Sequence, residues 1–261
     1  MKLLCPDAYF LAYRNPKATF ECLRSFRQFH PTSIIELVSD GGGDDLADIA
    51  RHFGCRYRRA QERVGAPPRT REMMRDWLHR FADAAARCTA EYIMLLEDDV
   101  LIRGPIRRAS RIAIAGPYCG GARLSPRLMN YLRQRHRHLT SDHYGGCGGS
   151  LFHRESLLEA AAAFRFEEFE FFRTLEPRIG HADVFLTTIF LLCGFEYTSL
   201  EDVYCEATGA YPDWKTNGRS IVHQYKKFYG QKLSPEDLTL LQANEPACPQ
   251  PIQATGTSGP V

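Results

Sequence analysis

Four short apolar runs separated by helix-length segments fill the first hundred residues. The runs are "AYFLAY" (Ala8 to Tyr13), "SIIELVSD" (Ser33 to Asp40), "CRYRRA" (Cys55 to Ala60) and "EYIMLLEDDVLI" (Glu91 to Ile102). Between the first two, Pro16 suits an opening helical turn, and Phe20, Leu23, Phe26 and Phe29 recur at helical spacing. "DDLADIARHFGC" reads as a second helix with Gly54 near its C-terminal end, and "PPRTREMMRDWLHRFADAAARC" as a long third helix opened by prolines. Strands that alternate with helices are joined by crossovers, which make neighbouring strands parallel. The expectation is a single α/β domain: a mostly parallel central sheet with helices on both faces.

After Pro105 the alternation weakens. "RRASRIAIAGPYCGGARLS" offers one or two strand-like pieces, and "RLMNYLRQRHRHL" reads as a helix. "YGGCGGSLFHRESLLEAAAAF" is a glycine-rich turn, a short apolar stretch and a helix. "HADVFLTTIFLLCGFEY" is an apolar helix ended by Gly194, and "SIVHQYKKFYG" is a late strand or helix carrying His223. The domain is expected to span 1–243, with a first half 1–104 and a second half 105–243. Residues 244–261, rich in Pro, Gly, Ser, Thr and Gln, read as a flexible tail or a linker to a further domain in a longer parent chain.

Charge and cysteine usage exclude several classes. A net charge of +2 gives no reason to expect nucleic acid as partner. The basic clusters Arg56 to Arg59 and Arg133 to Arg137 read as solvated faces. The nine cysteines are odd in number, widely spaced and without a CxxC pair, which argues for reduced thiols and against a disulfide frame or a zinc site. "MKLLCPDAYFLAY" is too short and too interrupted for a secretory signal, and no apolar run approaches the ~20 residues that span a bilayer. The reading is a soluble, cytoplasmic protein.

The fourth apolar run drives straight into Glu97, Asp98 and Asp99. Ligands of open parallel sheets bind beyond the carboxyl ends of the strands, and the second run also ends in an acid, Asp40. Adjacent carboxylates repel, and burying them unpaired is expensive. A divalent cation, Mn²⁺ or Mg²⁺, removes that cost, because hard cations prefer oxygen ligands. Neighbouring strand residues point to opposite faces, so two of the three acids can share one site while the third looks elsewhere.

In this order, "AYRNP", "LVSDGG", "RTRE", "MLLEDDV", "GGCGGSLF", "HADVFL" and "IVHQY" run from about Tyr9 to Tyr225. The set resembles the GT-A (Rossmann-like) glycosyltransferases, close to the inverting family 2 type. The resemblance implies transfer of a sugar from a nucleoside diphosphate sugar, with a UDP-sugar favoured, to an acceptor hydroxyl on a glycan or similar molecule. It implies that Asp40 bonds the nucleotide base, Arg14 lines the nucleotide pocket, and Arg71 faces the phosphates. Asp98 would face the ribose, Asp99 would bind the metal, Glu97 would support it directly or through water, and His223 would complete the coordination. Asp183 matches the general base of the inverting members. EDD in the acidic motif and "HAD" where "ED" is common are departures from the family pattern.

Alternatives stay open at this point. Asp183 is a base or a helix cap, Glu176 and Glu170 are rival bases, and His181 reads as a supporting or structural residue. Arg69 competes with Arg71 for the phosphate. Gly148 and Gly149, in the Gly145 to Gly149 run, bring backbone close to a sugar or simply make a turn. Tyr144, Phe152, Tyr211 and Trp214 are stacking platforms for a sugar or core residues. Two other functions compete: a sugar-phosphate nucleotidyltransferase, whose glycine-rich loop after the first strand is missing from "AYRNP", and a non-catalytic nucleotide-sugar-binding module.

Overall fold

The computed structural model describes residues 2–41, 43–61, 63, 69–108, 112–117, 122–200, 203–205 and 218–243. The first half runs β1 (Lys2–Leu4), β2 (Asp7–Ala12), α1 (Pro16–Phe29), β3 (Ile35–Asp40), α2 (Ala47–His52), β4 (Arg56–Ala60), α3 (Arg71–Arg87), β5 (Tyr92–Glu97), β6 (Leu101–Ile102) and β7 (Ile106–Arg108). The second half adds β8 (Ile114–Gly116), α4 (Pro126–Arg135), β9 (Leu151–His153), α5 (Arg154–Ala163), α6 (Phe169–Leu175), α7 (Ala182–Leu192), β10 (Tyr197–Ser199), β11 (Val203–Cys205), β12 (Ile221–His223) and α8 (Pro235–Gln242).

Seven strands form the central sheet, in the order β10-β8-β9-β5-β2-β3-β4. All neighbours are parallel except at β9, which is antiparallel to both β5 and β8. The mostly parallel sheet and its helices match the α/β domain expected from the alternation. Two faces of one strand explain the two layers. On β5, Ile93 and Leu95 point into a core with Trp77 and Phe81 of α3, Leu157 of α5 and Phe185 of α7. Met94 and Leu96 point the other way, onto Phe20, Leu23 and Phe26 of α1 and Ile49 of α2. Each fully buried Leu or Phe contributes roughly 1.5–3 kcal/mol, so both faces must be covered.

Buried Asp7 ties the N-terminal ends of three strands together. It accepts hydrogen bonds from the N–H groups of Ile34 (2.7 Å), Thr89 (2.8 Å) and Ala90 (3.0 Å). The opposite, C-terminal edge of the sheet is thereby left as the end where acids collect.

Several elements differ from the sequence reading. The fourth run is two strands, not one: β5 stops at Glu97, Asp98 and Asp99 turn, and Leu101–Ile102 joins a separate sheet of order β11-β12-β6. The carboxylates cause the break, since a continued central strand would carry them into the core. The second helix keeps only Ala47–His52. Phe152 is fully buried on β9, in ring contact with Phe81 and Phe190, so it is core and not a sugar platform. Arg56, Arg58, Arg59, Arg133, Arg135 and Arg137 are exposed, as solvated faces require. Tyr211, Trp214, Pro67, Pro68, Gly42 and the segment 244–261 lie outside the described residues. No disulfide joins two of the seven described cysteines, and no described helix is long and apolar enough to cross a membrane.

Candidate active site

β5 delivers Glu97 to the C-terminal edge, and the turn after it brings Asp99 back to the same side. The late strand β12 is threaded beside this turn. Its Ile221 pairs with Ile102, and the N–H of Tyr225 donates to the carbonyl of Asp99 at 2.8 Å. His223 therefore arrives with Nε2 at 3.6 Å from Glu97 Oε2 and 3.6 Å from Asp99 Oδ1. The three ligand atoms lie within 4.8 Å of one another. The separation is too long for a hydrogen bond. Asp99 Oδ1 is buried and has no hydrogen-bond partner among the described residues. An orphaned buried carboxylate oxygen, a second carboxylate and an imidazole nitrogen are a donor set that fits a divalent cation.

The electrostatics fit that reading. Burial pushes Asp99 up to about 6; the charges of Glu97 and Asp98 add to this, while His223 opposes it. For Glu97, partial burial acts upward, but His223, Arg69 and the N–H of Gly148 outweigh it and hold the carboxyl below its usual range. Asp98 leans to the other side of the turn. It accepts from Tyr229 Oη at 2.5 Å and from Asn15 Nδ2 at 2.7 Å, and burial raises it against those two bonds. Neither Asn15 nor Tyr229 stands out in the sequence, because neither sits in an apolar period or an acidic run.

Two described non-glycine residues have left-handed backbones, and both flank this site. Arg14 (φ 56°) directly precedes Asn15, and Gln224 (φ 61°) directly follows His223. Such conformations cost on the order of 1–3 kcal/mol and persist where surrounding structure enforces them. Arg14 itself is exposed, with its guanidinium 5.0 Å from the ring of Tyr13.

The glycine run packs against protein. A Cβ on Gly148 would sit 2.7 Å from Val100 Cγ2, 3.0 Å from Glu97 Oε2 and 3.1 Å from His223 Cδ2. A Cβ on Gly146 would meet Leu186 Cβ at 2.9 Å and Asp183 Cα at 3.5 Å. Gly149 (φ 84°) leans on Ile221, with 3.0 Å to its Cγ2. The loop thus threads between the first turn of α7 and the carboxylate–histidine cluster, and side chains are excluded for that reason.

Asp183 lies in the first turn of α7, where a negative charge is favoured by the helix dipole. Its Oδ1 accepts the N–H of Val184 at 2.9 Å. Burial raises its carboxyl, and the Glu97 charge adds, against the Val184 N–H and His181. His181 occupies the N-cap position without a side-chain cap bond. Glu176 is committed elsewhere: it accepts from Arg178 Nε at 2.8 Å and from the N–H of Ser125 at 2.7 Å. Glu170 is exposed and pairs with Arg173 at 3.1 Å. Tyr144 is partly buried, its hydroxyl accepting from Arg178 Nη1 at 3.2 Å.

The two arginines of "RTRE" part company at the cap of α3. Thr70 is the N-cap and accepts the N–H of Met73 at 3.3 Å. Arg69, before the cap, is 5% exposed and backed by Trp77; burial lowers its guanidinium against the pull of Glu97, Asp40 and Asp183. Arg71, after the cap, faces solvent and pairs with Glu72 at 2.8 Å. Asp40 ends β3 fully buried, 3.6 Å from Arg80 Nη1. The structure therefore brings Glu97, Asp99, His223, Asp183 and Arg69 into one electrostatic neighbourhood, beside Gly148 and Gly149, and sets Arg71 and Arg14 at its outside.

No family model matches the chain, and no curated protein matches it in sequence. Among solved structures it is similar to the galactosyltransferase LgtC in complex with donor and acceptor sugar analogues, at 14% identity over 90% of this chain and 95% of that one, with a TM-score of 0.46. An active-site mutant of LgtC gives 12% identity over the same shares and a TM-score of 0.48. The apo form of the glycosyltransferase GlyE of Streptococcus pneumoniae gives 10% identity and a TM-score of 0.48, over 92% of this chain and 60% of that one. The structural neighbours named here are thus glycosyltransferases.

Proposed function

We propose that the chain is a metal-dependent glycosyltransferase of the GT-A type. It moves a sugar from a nucleoside diphosphate sugar, UDP favoured, to an acceptor hydroxyl on a glycan or a similar molecule, with inversion at the anomeric carbon. The observation that carries this reading is the cluster of Glu97, Asp99 and His223 at the carboxyl end of the central strand, with Asp99 Oδ1 orphaned in it.

Glu97, Asp99 and His223 Nε2 would hold Mn²⁺ or Mg²⁺. When bound, the cation supplies positive charge to the departing diphosphate. Arg69 supplies a second positive charge from the protein side, and its burial strengthens the interaction. Asp98, held by Tyr229 and Asn15, is oriented for the ribose. Asp40 and Arg14 line the nucleotide side in this reading, and backbone at Gly148 and Gly149 borders the sugar. Asp183 takes the proton of the acceptor hydroxyl as it attacks. Its raised carboxyl makes it a better base than an ordinary aspartate.

A thermal-shift screen of nucleotide sugars with and without Mn²⁺ tests the reading, because a bound ligand raises apparent stability by mass action. The expected result is a shift with one UDP-sugar that needs Mn²⁺, together with slow release of UDP from it. Release of pyrophosphate from a sugar phosphate and a nucleoside triphosphate would identify a nucleotidyltransferase instead. Binding without turnover on any acceptor would identify a binding module.

A further inference from the structure

Asn15 holds the N-cap position of α1, yet its side chain makes no cap bond. An asparagine there ordinarily accepts an N–H of the first turn, and that bond stabilises the helix. Here the amide turns away. Its Nδ2 donates to Asp98 Oδ2 at 2.7 Å and to the carbonyl of Tyr13 at 3.2 Å. Arg14, immediately before it, has a left-handed backbone (φ 56°), a conformation that surrounding structure must enforce. Two adjacent residues that break local rules mark a requirement beyond folding.

Tyr229 reaches the same carboxylate from the other end of the chain. After His223 the backbone turns at Gln224 (φ 61°) and passes through a short 3-10 turn at Lys226–Phe228. The Tyr229 hydroxyl then donates to Asp98 Oδ1 at 2.5 Å. The segment is fastened further on. Asp237, in the first turn of α8, accepts from Lys17 Nζ at 2.7 Å, and Lys17, in α1, also donates to Glu21 at 2.6 Å. Leu233 and Leu241 pack against the core layer that holds α1. Residues 225–242 thus form a strap across the start of α1 and the acidic turn.

Each oxygen of Asp98 receives one of these two bonds, which fixes the plane of the carboxylate. A carboxylate has about four acceptor sites, so there is room for two more donors, one on each oxygen. Asp98 is half-buried, within reach of a ligand. Hydroxyls on adjacent carbons match such a pair of oxygens, much as the paired N–H groups of a guanidinium do. We infer that Asn15 and Tyr229 are positioning residues that aim Asp98 at the vicinal diol of a ribose, and that the strap is a wall of the donor site. The inference rests on the proposed function. It assigns the preference for a ribonucleotide to two residues that act through Asp98.

UDP and its 2′,3′-dideoxy counterpart, which lacks the diol, are the probes, titrated by calorimetry with Mn²⁺ present. Wild type should bind UDP at least about tenfold more tightly, the scale of a hydrogen bond to a charged group. In Tyr229→Phe and in Asn15→Ser that preference should fall below about threefold, with affinity for the dideoxy compound nearly unchanged. Serine is a good N-cap, so Asn15→Ser should melt no lower than wild type; a purely structural role for Asn15 would then leave the preference intact. A preference retained in either variant overturns the assignment. So does an equal loss for both nucleotides, or no preference in wild type. A second arm uses no ligand. Lys226 and Lys227 are exposed trypsin sites beside Tyr229. Cleavage there tracks opening of the strap, and should be at least about threefold faster in Tyr229→Phe. An unchanged rate means that Asp98 does not hold the strap, and the clamp falls. Failure of wild type to bind UDP refutes the proposed function and the ribose preference with it, while the trypsin rate still decides the clamp.

Discussion

Gly148 stands so close to Glu97 that a single added methyl group would come within 3.0 Å of Oε2 and, at the same time, 3.1 Å from the ring of His223. Gly148→Ala is therefore expected to push apart two of the three cation donors. We expect at least a tenfold loss of Mn²⁺ affinity by calorimetry, with a stability cost of about 1–3 kcal/mol for overpacking. Gly43→Ala, where nothing lies within 4 Å of the added atom, is the control and should change neither. Equal effects from the two substitutions would show that the contact is irrelevant.

Asp99→Asn should separate function from stability. It removes a buried charge whose Oδ1 finds no hydrogen bond among the described residues. Mn²⁺-dependent binding of a UDP-sugar should be abolished. The metal-free protein should melt higher, at about 2–4 °C for each kcal/mol of relieved burial cost. Wild-type Mn²⁺ dependence in the variant would remove Asp99 from the ligand set.

Arg69→Ala and Arg71→Ala ask which side of the α3 cap faces the phosphates. Arg69 is buried among the acids and Arg71 is paired in solvent. Nucleotide-sugar affinity should fall at least about tenfold in Arg69→Ala, the scale of a lost charged hydrogen bond, and stay within a few-fold in Arg71→Ala. The reverse pattern would restore the assignment suggested by the sequence.

Asp183→Asn should keep nucleotide affinity and lose transfer by on the order of 10²-fold or more, because only proton acceptance is removed. Product-formation rates at saturating donor measure it. Near-normal transfer would assign the proton to another group or indicate retention of configuration.

His30 sets an expected acid limit on the fold, far from the chemistry. It is 2% exposed, neither ring nitrogen has a hydrogen-bond partner among the described residues, and burial lowers it to about 4. Unfolding returns it to about 6.5, so between these values the unfolded chain binds the extra proton. Stability from this residue is full above pH about 6.5 and is lost as the pH falls toward about 4, on the order of 3 kcal/mol in all. Urea melts across that range should show the slope in the wild type and a flatter one in His30→Phe.

Much of this was legible in the residue order, for identifiable reasons. The apolar runs announced the parallel strands because strands buried on both faces carry little polar interruption. The acids at the end of β5 singled out the sheet edge at which Glu97, Asp99 and His223 meet, because adjacent carboxylates are costly to bury without partners. His223 could be named from the resemblance alone. What stayed hidden depends on tertiary register. Arg69 turns inward and Arg71 outward because Thr70 between them caps α3. Phe152 reads equally as ring platform or core until Phe81 and Phe190 are seen against it. The glycines of the 145–149 run are small because of Leu186, Glu97 and His223, which are distant in sequence. Asn15 and Tyr229 converge on Asp98 from opposite ends of the chain.

The break in β5 has a consequence for the order of assembly. Because Asp99 leaves the central sheet and β6 pairs with β12, the carboxylates meet their histidine only across a sequence separation of 124 residues. A chain emerging from the ribosome carries Glu97 and Asp99 long before it carries His223. The three donors become a chelate only when β12 docks, a non-local closure that follows the local strand–helix units. In the proposed function, a divalent ion would then find no complete site on a partly made chain, and its binding energy would act at the step that seats the final strand.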